Sequence, residues 1–124
     1  MINLGIFGDR TTEHFDAGQV IFREGDPVGK MYVVAEGEVT IMVGSRVVEI
    51  AGPGSIFGEM ALIDGSPRSA TVTAKTDCEL AAIDERRFEV LVQQNPYFAV
   101  EVMRVMANRL RKADRLIMSQ QVSG

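Results

Sequence analysis

The first two thirds of the chain alternate short runs of β-branched and aromatic residues with turns that contain glycine or proline. Between about Glu13 and Asp84, β-type runs lie at 19–23, 30–35, 39–43, 46–51, 68–74 and 78–83. Many short strands with regularly spaced turns predict either a closed barrel or a jelly roll. Gly44-Ser45 separates two of these runs and predicts a tight hairpin.

The last third of the chain changes to helical spacing after Asp84, which is a favourable N-cap residue. One helical face then carries the apolar residues Phe88, Leu91 and Val92. Asn95-Pro96 restarts the chain, because proline is well tolerated in the first turn of a helix. We therefore predict two C-terminal helices, the second of which spans about residues 96–118.

The second of these helices carries an additional apolar pattern. Spacings of four and three alternate along it and form an a/d seam of about two and a half heptads. The seam consists of Ala99, Met103, Met106, Leu110, Ala113 and Ile117. Three interpretations stay open: the seam packs on the protein's own β-rich part, forms a homodimer or partner interface, or acts as a lid over a pocket.

Composition narrows the class of protein. A chain of 124 residues, 46% of them hydrophobic, fits a single domain spanning 1–124, with a β-rich part at about 13–84 and helices at about 85–118. A net charge of −4 argues against nucleic acid binding over the whole surface. No apolar run approaches the ~20 residues of a membrane helix. The first ten residues show no basic start followed by a long apolar stretch, so we expect no signal peptide. The single cysteine, Cys78, excludes an internal disulfide, so we expect a reducing, cytoplasmic location.

The segment Phe57–Val72, with the sequence FGEMALIDGSPRSATV, combines groups suited to one phosphate and one ribose. A glycine and an acid begin a short apolar turn, where a helix start offers unpaired N–H groups to an anion. Arg68 follows a Gly-Ser-Pro corner and adds a planar fork that matches phosphate oxygens. A carboxylate would repel phosphate, so we assign Glu59 to sugar hydroxyls. A cyclic nucleotide offers both groups on one small ligand.

Each of these residues also has a purely structural interpretation. Glu59 favours a helix start through the helix dipole, and Glu59 and Arg68 are placed to form a structural ion pair. Against that, an inward-facing Arg68 without an anion would carry an uncompensated charge, which is costly. Catalysis has less support, because a metal site of the cupin type needs several histidines and the chain has only His14. We therefore predict no enzyme activity, no metal site and no catalytic residue.

The ordered set of motifs from about Phe15 to Ile117 resembles the cyclic nucleotide-binding domain family. Residues 58–72 look like the family's phosphate-binding cassette, and 22–26 and 31–39 resemble its early glycine-marked hairpins. Residues 74–112 are also similar to the sensor half of bacterial catabolite-activator regulators. The resemblance implies a mainly β fold, a jelly-roll barrel with a short cassette helix and two C-terminal helices.

The resemblance also implies roles for individual residues. Glu59 would bind the ribose 2′-hydroxyl, and Arg68 would pair with the cyclic phosphate. The remaining ligand-binding candidates are the backbone near Gly58, Met60 and Ala61, the hydroxyl or amide groups of Ser69 and Ala70, and, for the base, the weaker candidates Val48 and Ile50.

The identity of the base is left open by one departure from the family pattern. In the bacterial regulators, a hydroxyl residue on the long helix helps to bind adenine, and Ala113 stands at the matching position here. We expect cyclic AMP, or else cyclic GMP, because most of the resemblance is to cyclic AMP sensors. No other cofactor is implied.

The function implied is a regulatory sensor that signals through movement of its C-terminal helix. The alternative is a degenerate domain that binds no nucleotide and serves as a protein-interaction or dimerisation module. Many relatives fuse this module to a helix-turn-helix, a kinase or a channel, and this chain carries none of these. We expect it to act alone, to act through another protein, or to be a piece of a longer protein, without direct binding to nucleic acid.

Overall fold

The computed structural model describes residues 12–27 and 29–123, except for the side chains of 116–123. These residues form eight strands and three helices. In chain order they are β1 (Glu13–Phe15), β2 (Val20–Phe22), β3 (Met31–Glu36), β4 (Val39–Val43), β5 (Arg46–Ala51), β6 (Ile56–Phe57), α1 (Glu59–Asp64), β7 (Thr71–Ala74), β8 (Cys78–Ile83), α2 (Glu85–Gln94) and α3 (Pro96–Ser123).

The strands form two four-stranded sheets, ordered β1-β8-β3-β6 and β2-β7-β4-β5, and every pair within them is antiparallel. Apart from the β4–β5 hairpin, successive strands alternate between the sheets in the manner of a jelly roll, which confirms that prediction. The described strands do not close into one barrel, so the closed-barrel alternative is wrong. The sequence pattern missed β1 and β6, because runs of three and two residues are too short to show alternation.

The sheet that contains β3 and β8 is buried on both faces. Leu80 belongs to a core cluster between the two sheets, whereas Ala81 and Ile83 belong to a second cluster formed with the helices. On β3, Val33 and Val34 divide between the clusters in the same way. Strands that lie between two cores have no polar face, which explains their nearly continuous apolar sequences.

The helices cover one face of this sheet. Asp84 caps α2 as predicted, since its carboxylate accepts a 2.8 Å hydrogen bond from the backbone N–H of Arg87. On α3, Phe98 and Val102 are buried in the helix-side core cluster, and Val105 packs against it. These three residues share one helical face, and this face positions α3 on the domain.

The predicted seam lies mostly on a different face of α3. Met106 packs partly against the core, but Met103 and Leu110 are 58% and 64% exposed. The core-facing stripe is displaced from the seam by one residue, a rotation of about 100° around the helix. The interpretation that the whole seam packs on the protein's own domain is therefore wrong. The side chain of Ile117 lies outside the described residues.

A steric constraint in the β3–β4 turn leads to a first prediction. Gly37 has φ +86°, and a Cβ built on it would lie 2.2 Å from the backbone oxygen of Asp77. Gly18 has a similar φ of +89° but no atom within 4 Å of such a Cβ. Both Gly→Ala changes incur about 1–2 kcal/mol for the left-handed backbone, and Gly37→Ala adds about 1–3 kcal/mol of overpacking.

Urea unfolding of the two variants separates these contributions. We expect Gly37→Ala to lower the free energy of unfolding clearly more than Gly18→Ala. Equal losses would show that the close approach to Asp77 is not a constraint on the fold.

Candidate functional site

The first turn of α1 begins immediately after a glycine that the site requires. Gly58 has φ +79°, and no side chain caps the helix that follows it, so the first N–H groups are left for solvent or a ligand. A Cβ at Gly58 would lie 2.8 Å from Nη1 of Arg68 and 3.2 Å from the backbone oxygen of Lys30. Glycine is thus needed both for the backbone conformation and for the close approach of the arginine.

Arg68 is a buried cation without a carboxylate partner. Its side chain donates hydrogen bonds to the backbone oxygens of Gly58, at 3.1 Å, and Lys30, at 2.5 Å. The guanidinium carbon lies 3.9 Å from the ring centroid of Phe22. Arg68 is 7% exposed and forms no ion pair with any residue that the structure describes. Burial lowers the pKa of Arg68 below its usual value, and an anion bound beside it would oppose that shift.

Glu59, by contrast, has a cationic partner from a distant part of the chain. Nη1 of Arg109, on α3, donates a hydrogen bond to Oε1 of Glu59, which is only 1% exposed. The same guanidinium donates to both carboxylate oxygens of Glu49 on β5, at 3.2 Å each, and to the backbone oxygen of Ile56, at 2.7 Å. The suggestion that Glu59 pairs with Arg68 is therefore wrong.

The two carboxylates around Arg109 stabilise its positive charge. Burial acts against its positive charge, but the carboxylates of Glu59 and Glu49 outweigh the burial and hold the pKa of Arg109 above its ordinary value. One side chain thus joins the start of α1, strand β5 and helix α3. The sequence analysis missed this residue. The signal was its spacing, since Arg109 falls four residues after Val105 and seven after Val102, on the core-facing stripe.

Seven of the sequence-predicted ligand residues surround one small cavity of about 70 Å³. The cavity lies between α1 and the start of β7, and its apolar wall includes Phe22, Ile41 and Val72. The predicted residues that line it are Gly58, Glu59, Met60, Ala61, Arg68, Ser69 and Ala70.

A larger groove of about 890 Å³ continues from this cavity between the β4–β5 hairpin and α3. The cavity and the groove share Ile41, Ser69, Ala70 and Arg109 as lining residues. Val48, a candidate for the base pocket, lines the groove. Ile50, the other candidate, borders neither space and is 48% exposed. A small cavity that contains the charged groups of Glu59 and Arg68 and opens into a larger groove matches a phosphate–ribose unit attached to a flat base.

The part of the chain that the structure describes contains neither a metal-binding cluster nor a membrane-spanning helix. No group of three or more histidine, cysteine, aspartate or glutamate side chains is arranged to hold a metal ion there. No helix in that part has the length and apolar character to cross a membrane.

The buried ion pair between Glu59 and Arg109 leads to a prediction about stability. Arg109→Met leaves Glu59 buried without a cation and should lower the free energy of unfolding by about 3–5 kcal/mol. Adding Glu59→Gln to this variant should restore part of the loss, because the buried charge is removed. Arg104→Met is the matched control, since the Arg104 side chain lies on the same helix, is 70% exposed and pairs with Glu101, so that it should contribute only about 0–1 kcal/mol.

Denaturant unfolding of the single and double variants measures the coupling between Glu59 and Arg109. Losses that simply add, or an Arg109→Met loss no larger than that of Arg104→Met, would contradict a structural role for the pair.

Comparison with known proteins matches the sequence and the fold to one family. Residues 12–95 match the family model described as the cyclic nucleotide-binding domain. A cyclic nucleotide-gated potassium channel of Mesorhizobium japonicum is 43% identical over 97 residues, which are 78% of this chain and 26% of that protein. The cyclic AMP receptor protein of Thermus thermophilus is 36% identical over 105 residues, which are 81% of this chain and 49% of that protein.

Solved structures agree with the sequence matches. The catabolite activator protein of Thermus thermophilus superposes with a TM-score of 0.74 at 36% identity, over 82% of this chain and 50% of that one. An EAL enzyme in its cyclic GMP-bound form superposes with a TM-score of 0.65 at 34% identity, over 88% of this chain and 30% of that one. The chain spans about half or less of the length of the curated relatives cited above. Because the family model covers more than half of the sequence, this chain belongs to the cyclic nucleotide-binding domain family.

Proposed function

We propose that this domain binds a purine cyclic nucleotide in the cavity beside α1 and signals its presence through α3. The single observation that carries the proposal is Arg68, a buried cation hydrogen-bonded only to neutral carbonyl groups. A cyclic phosphate supplies the direct anionic contact that neither Asp26 nor Glu59, which act on Arg68 only from a distance, provides. The uncapped first turn of α1, together with Ser69 and Ala70, adds donors for the other phosphate oxygens.

The ribose provides the link between ligand and helix. A 2′-hydroxyl placed in the cavity donates to the Glu59 carboxylate, whose other contact is Arg109 on α3. Ligand binding thus adds a new donor to a carboxylate that already holds the helix in place. If the nucleotide binds one arrangement of α3 better than another, it shifts the population toward that arrangement. The proposed signal is this coupling between nucleotide binding and the arrangement of α3.

Relatives support cyclic nucleotides as a class without selecting the base. One is named a cyclic AMP receptor protein, and one solved relative holds cyclic GMP. The sequence-based expectation of cyclic AMP rests on resemblance alone. We propose a regulatory binding role rather than catalysis, since the family is a binding domain and Glu59 and Arg68 serve ligand contacts in this scheme. A single-domain organisation over 1–124 and a cytoplasmic location stay predictions.

Isothermal titration calorimetry with cyclic AMP and cyclic GMP tests the proposed site. Arg68→Ala removes charge-assisted hydrogen bonds worth about 1.5–3 kcal/mol each, so affinity for both nucleotides should fall at least about 100-fold. Arg23→Ala is the matched control, because Arg23 is exposed and does not line the cavity. Circular dichroism verifies that each variant is folded.

Two results would overturn this proposal. The first is the absence of binding by either nucleotide to the folded wild-type domain, which would favour the degenerate interaction module. The second is equal affinity in wild type and Arg68→Ala, which would place the ligand elsewhere.

A second function, dimerisation or partner binding through α3, is favoured by the two apolar faces of that helix. One face packs on the domain, while Met103 and Leu110 on the other face are more than half exposed. The same a/d seam includes Ala113, which is exposed, and Ala99 and Met106, which are partly buried, and this spacing suits a second copy of the same helix.

Sedimentation velocity at micromolar concentration tests this second function. We expect a wild-type dimer that Leu110→Glu converts to a monomer, because a carboxylate in the seam would be buried against its own copy. Asn108→Glu adds the same charge at an exposed position outside the seam and should leave the dimer intact. A wild-type monomer at these concentrations would rule out the homodimer.

A further inference from the structure

Three cations line the groove beside the candidate site and have no assigned role. Arg46 begins β5, and Lys112 and Arg115 lie one turn apart on α3; we call these three residues the groove cations. Their side chains are exposed, and none forms an ion pair or side-chain hydrogen bond with another residue that the structure describes. A cyclic nucleotide has a single negative charge, which Arg68 meets in the adjacent cavity. The groove cations are therefore not required for the phosphate and are available to contact the base.

Hydrogen-bond acceptors are scarce in the same groove. The carboxylate that lines it, Glu49, accepts a hydrogen bond from Arg109 on each of its oxygens. Ala113 contributes only a methyl group, and Val43 and Val48 contribute apolar surface. Apart from the Ser69 hydroxyl, the free polar side chains of the groove are donors.

The two common purines differ in what they offer to a set of donors. Guanine presents two adjacent acceptors, O6 and N7, which an arginine fork can bind bidentately. Adenine presents N7 beside a 6-amino group, which is itself a donor and needs an acceptor. An amino group that faces cations has no partner among them, and leaving such a donor unpaired is unfavourable. The apolar wall contacts both bases alike and does not distinguish them.

We propose that the groove cations select guanine, so that this domain binds cyclic GMP in preference to cyclic AMP. The proposal rests on the proposed function, since it requires the phosphate to occupy the cavity beside Arg68. Arg46 or Arg115 supplies the fork for the O6–N7 edge, and Lys112 adds positive charge to the same groove. The donors on the opposite edge of guanine are met by water or by the Ser69 hydroxyl. This preference reverses the expectation drawn from the resemblance.

Competition binding with three nucleotides tests which edge of the base is contacted. Cyclic GMP should bind at least about tenfold more tightly than cyclic AMP, the size of one bidentate arginine–guanine contact. Cyclic IMP carries O6 and N7 but lacks the 2-amino group of guanine, so it should bind within a few-fold of cyclic GMP. Equal affinity for cyclic GMP and cyclic AMP, or cyclic IMP affinity equal to that of cyclic AMP, would overturn the proposal.

A triple variant assigns the preference to the groove cations. In Arg46→Ala/Lys112→Ala/Arg115→Ala, the affinity ratio of cyclic GMP to cyclic AMP should fall to about one, because the only base-specific donors are gone. The ratio cancels any general weakening of phosphate binding that the lost charge causes. Arg111→Ala removes a cation from the same helix outside the groove lining and should leave the ratio unchanged.

The outcomes also separate this inference from the proposed function. Binding that depends on Arg68 but shows a ratio unchanged in the triple variant overturns the base selection and leaves the cyclic nucleotide site intact. Absence of binding by every nucleotide overturns both.

Discussion

The carboxylate of Glu59 imposes the central constraint on this structure, because it is charged and almost wholly buried at the first turn of α1. A buried carboxylate is tolerated only with a closely placed cation and further hydrogen bonds. Arg109 supplies that cation from a residue 50 positions later in the chain and is itself anchored by Glu49 and the backbone of Ile56. The cassette, strand β5 and helix α3 are therefore electrostatically joined, and a change at one of them affects the energy of the others.

Arg68 lines the same cavity as Glu59 but has no oppositely charged partner in contact. It is buried to a similar degree, yet its partners are two backbone carbonyls and an aromatic ring, none of which carries a negative charge. The two buried charged residues of the described core thus differ in a way that corresponds to their proposed roles. In the proposed roles, Glu59, which already has a cationic partner, would accept from a neutral hydroxyl, whereas Arg68, which has no carboxylate in contact, would bind an anion. The different charge balance at these two residues is the basis for placing the sugar and the phosphate.

Helix α3 is positioned by the core but not covered by it. Phe98, Val102 and Val105 hold one face on the domain, and Arg109 continues that stripe into the binding site. Beyond Arg109, the helix borders the groove with Lys112, Ala113 and Arg115, while Leu110 of the seam is exposed. Because the core-facing stripe, the groove lining and the exposed seam residues all lie on one helix, a shift of α3 would alter the candidate groove and the seam together. That geometry suits a helix that transmits ligand occupancy to a partner.

Local sequence patterns were sufficient for much of this picture. The turn glycines, the strand runs and the Asp84 cap depend on neighbours within a few residues, so the jelly roll and the two C-terminal helices could be predicted. Seven of the residues around the small cavity could also be predicted, because the cassette places them within one short segment. By contrast, β1 and β6 are too short to leave a pattern, and their existence depends on pairing with β8 and β3.

Tertiary packing decided three features that the sequence did not show. These are the partner of Glu59, the position of Ile50 outside both the cavity and the groove, and the exposure of the α3 seam. Each depends on which face of a helix or strand meets residues far away in sequence. A heptad pattern states that an apolar face exists but not what covers it. An arginine on a core-facing stripe has no visible partner until the fold brings a carboxylate to it. The sequence alone therefore specified the segments and the chemistry of the cassette, whereas the three-dimensional structure decided which of the buried charges has an oppositely charged partner and which has only neutral ones.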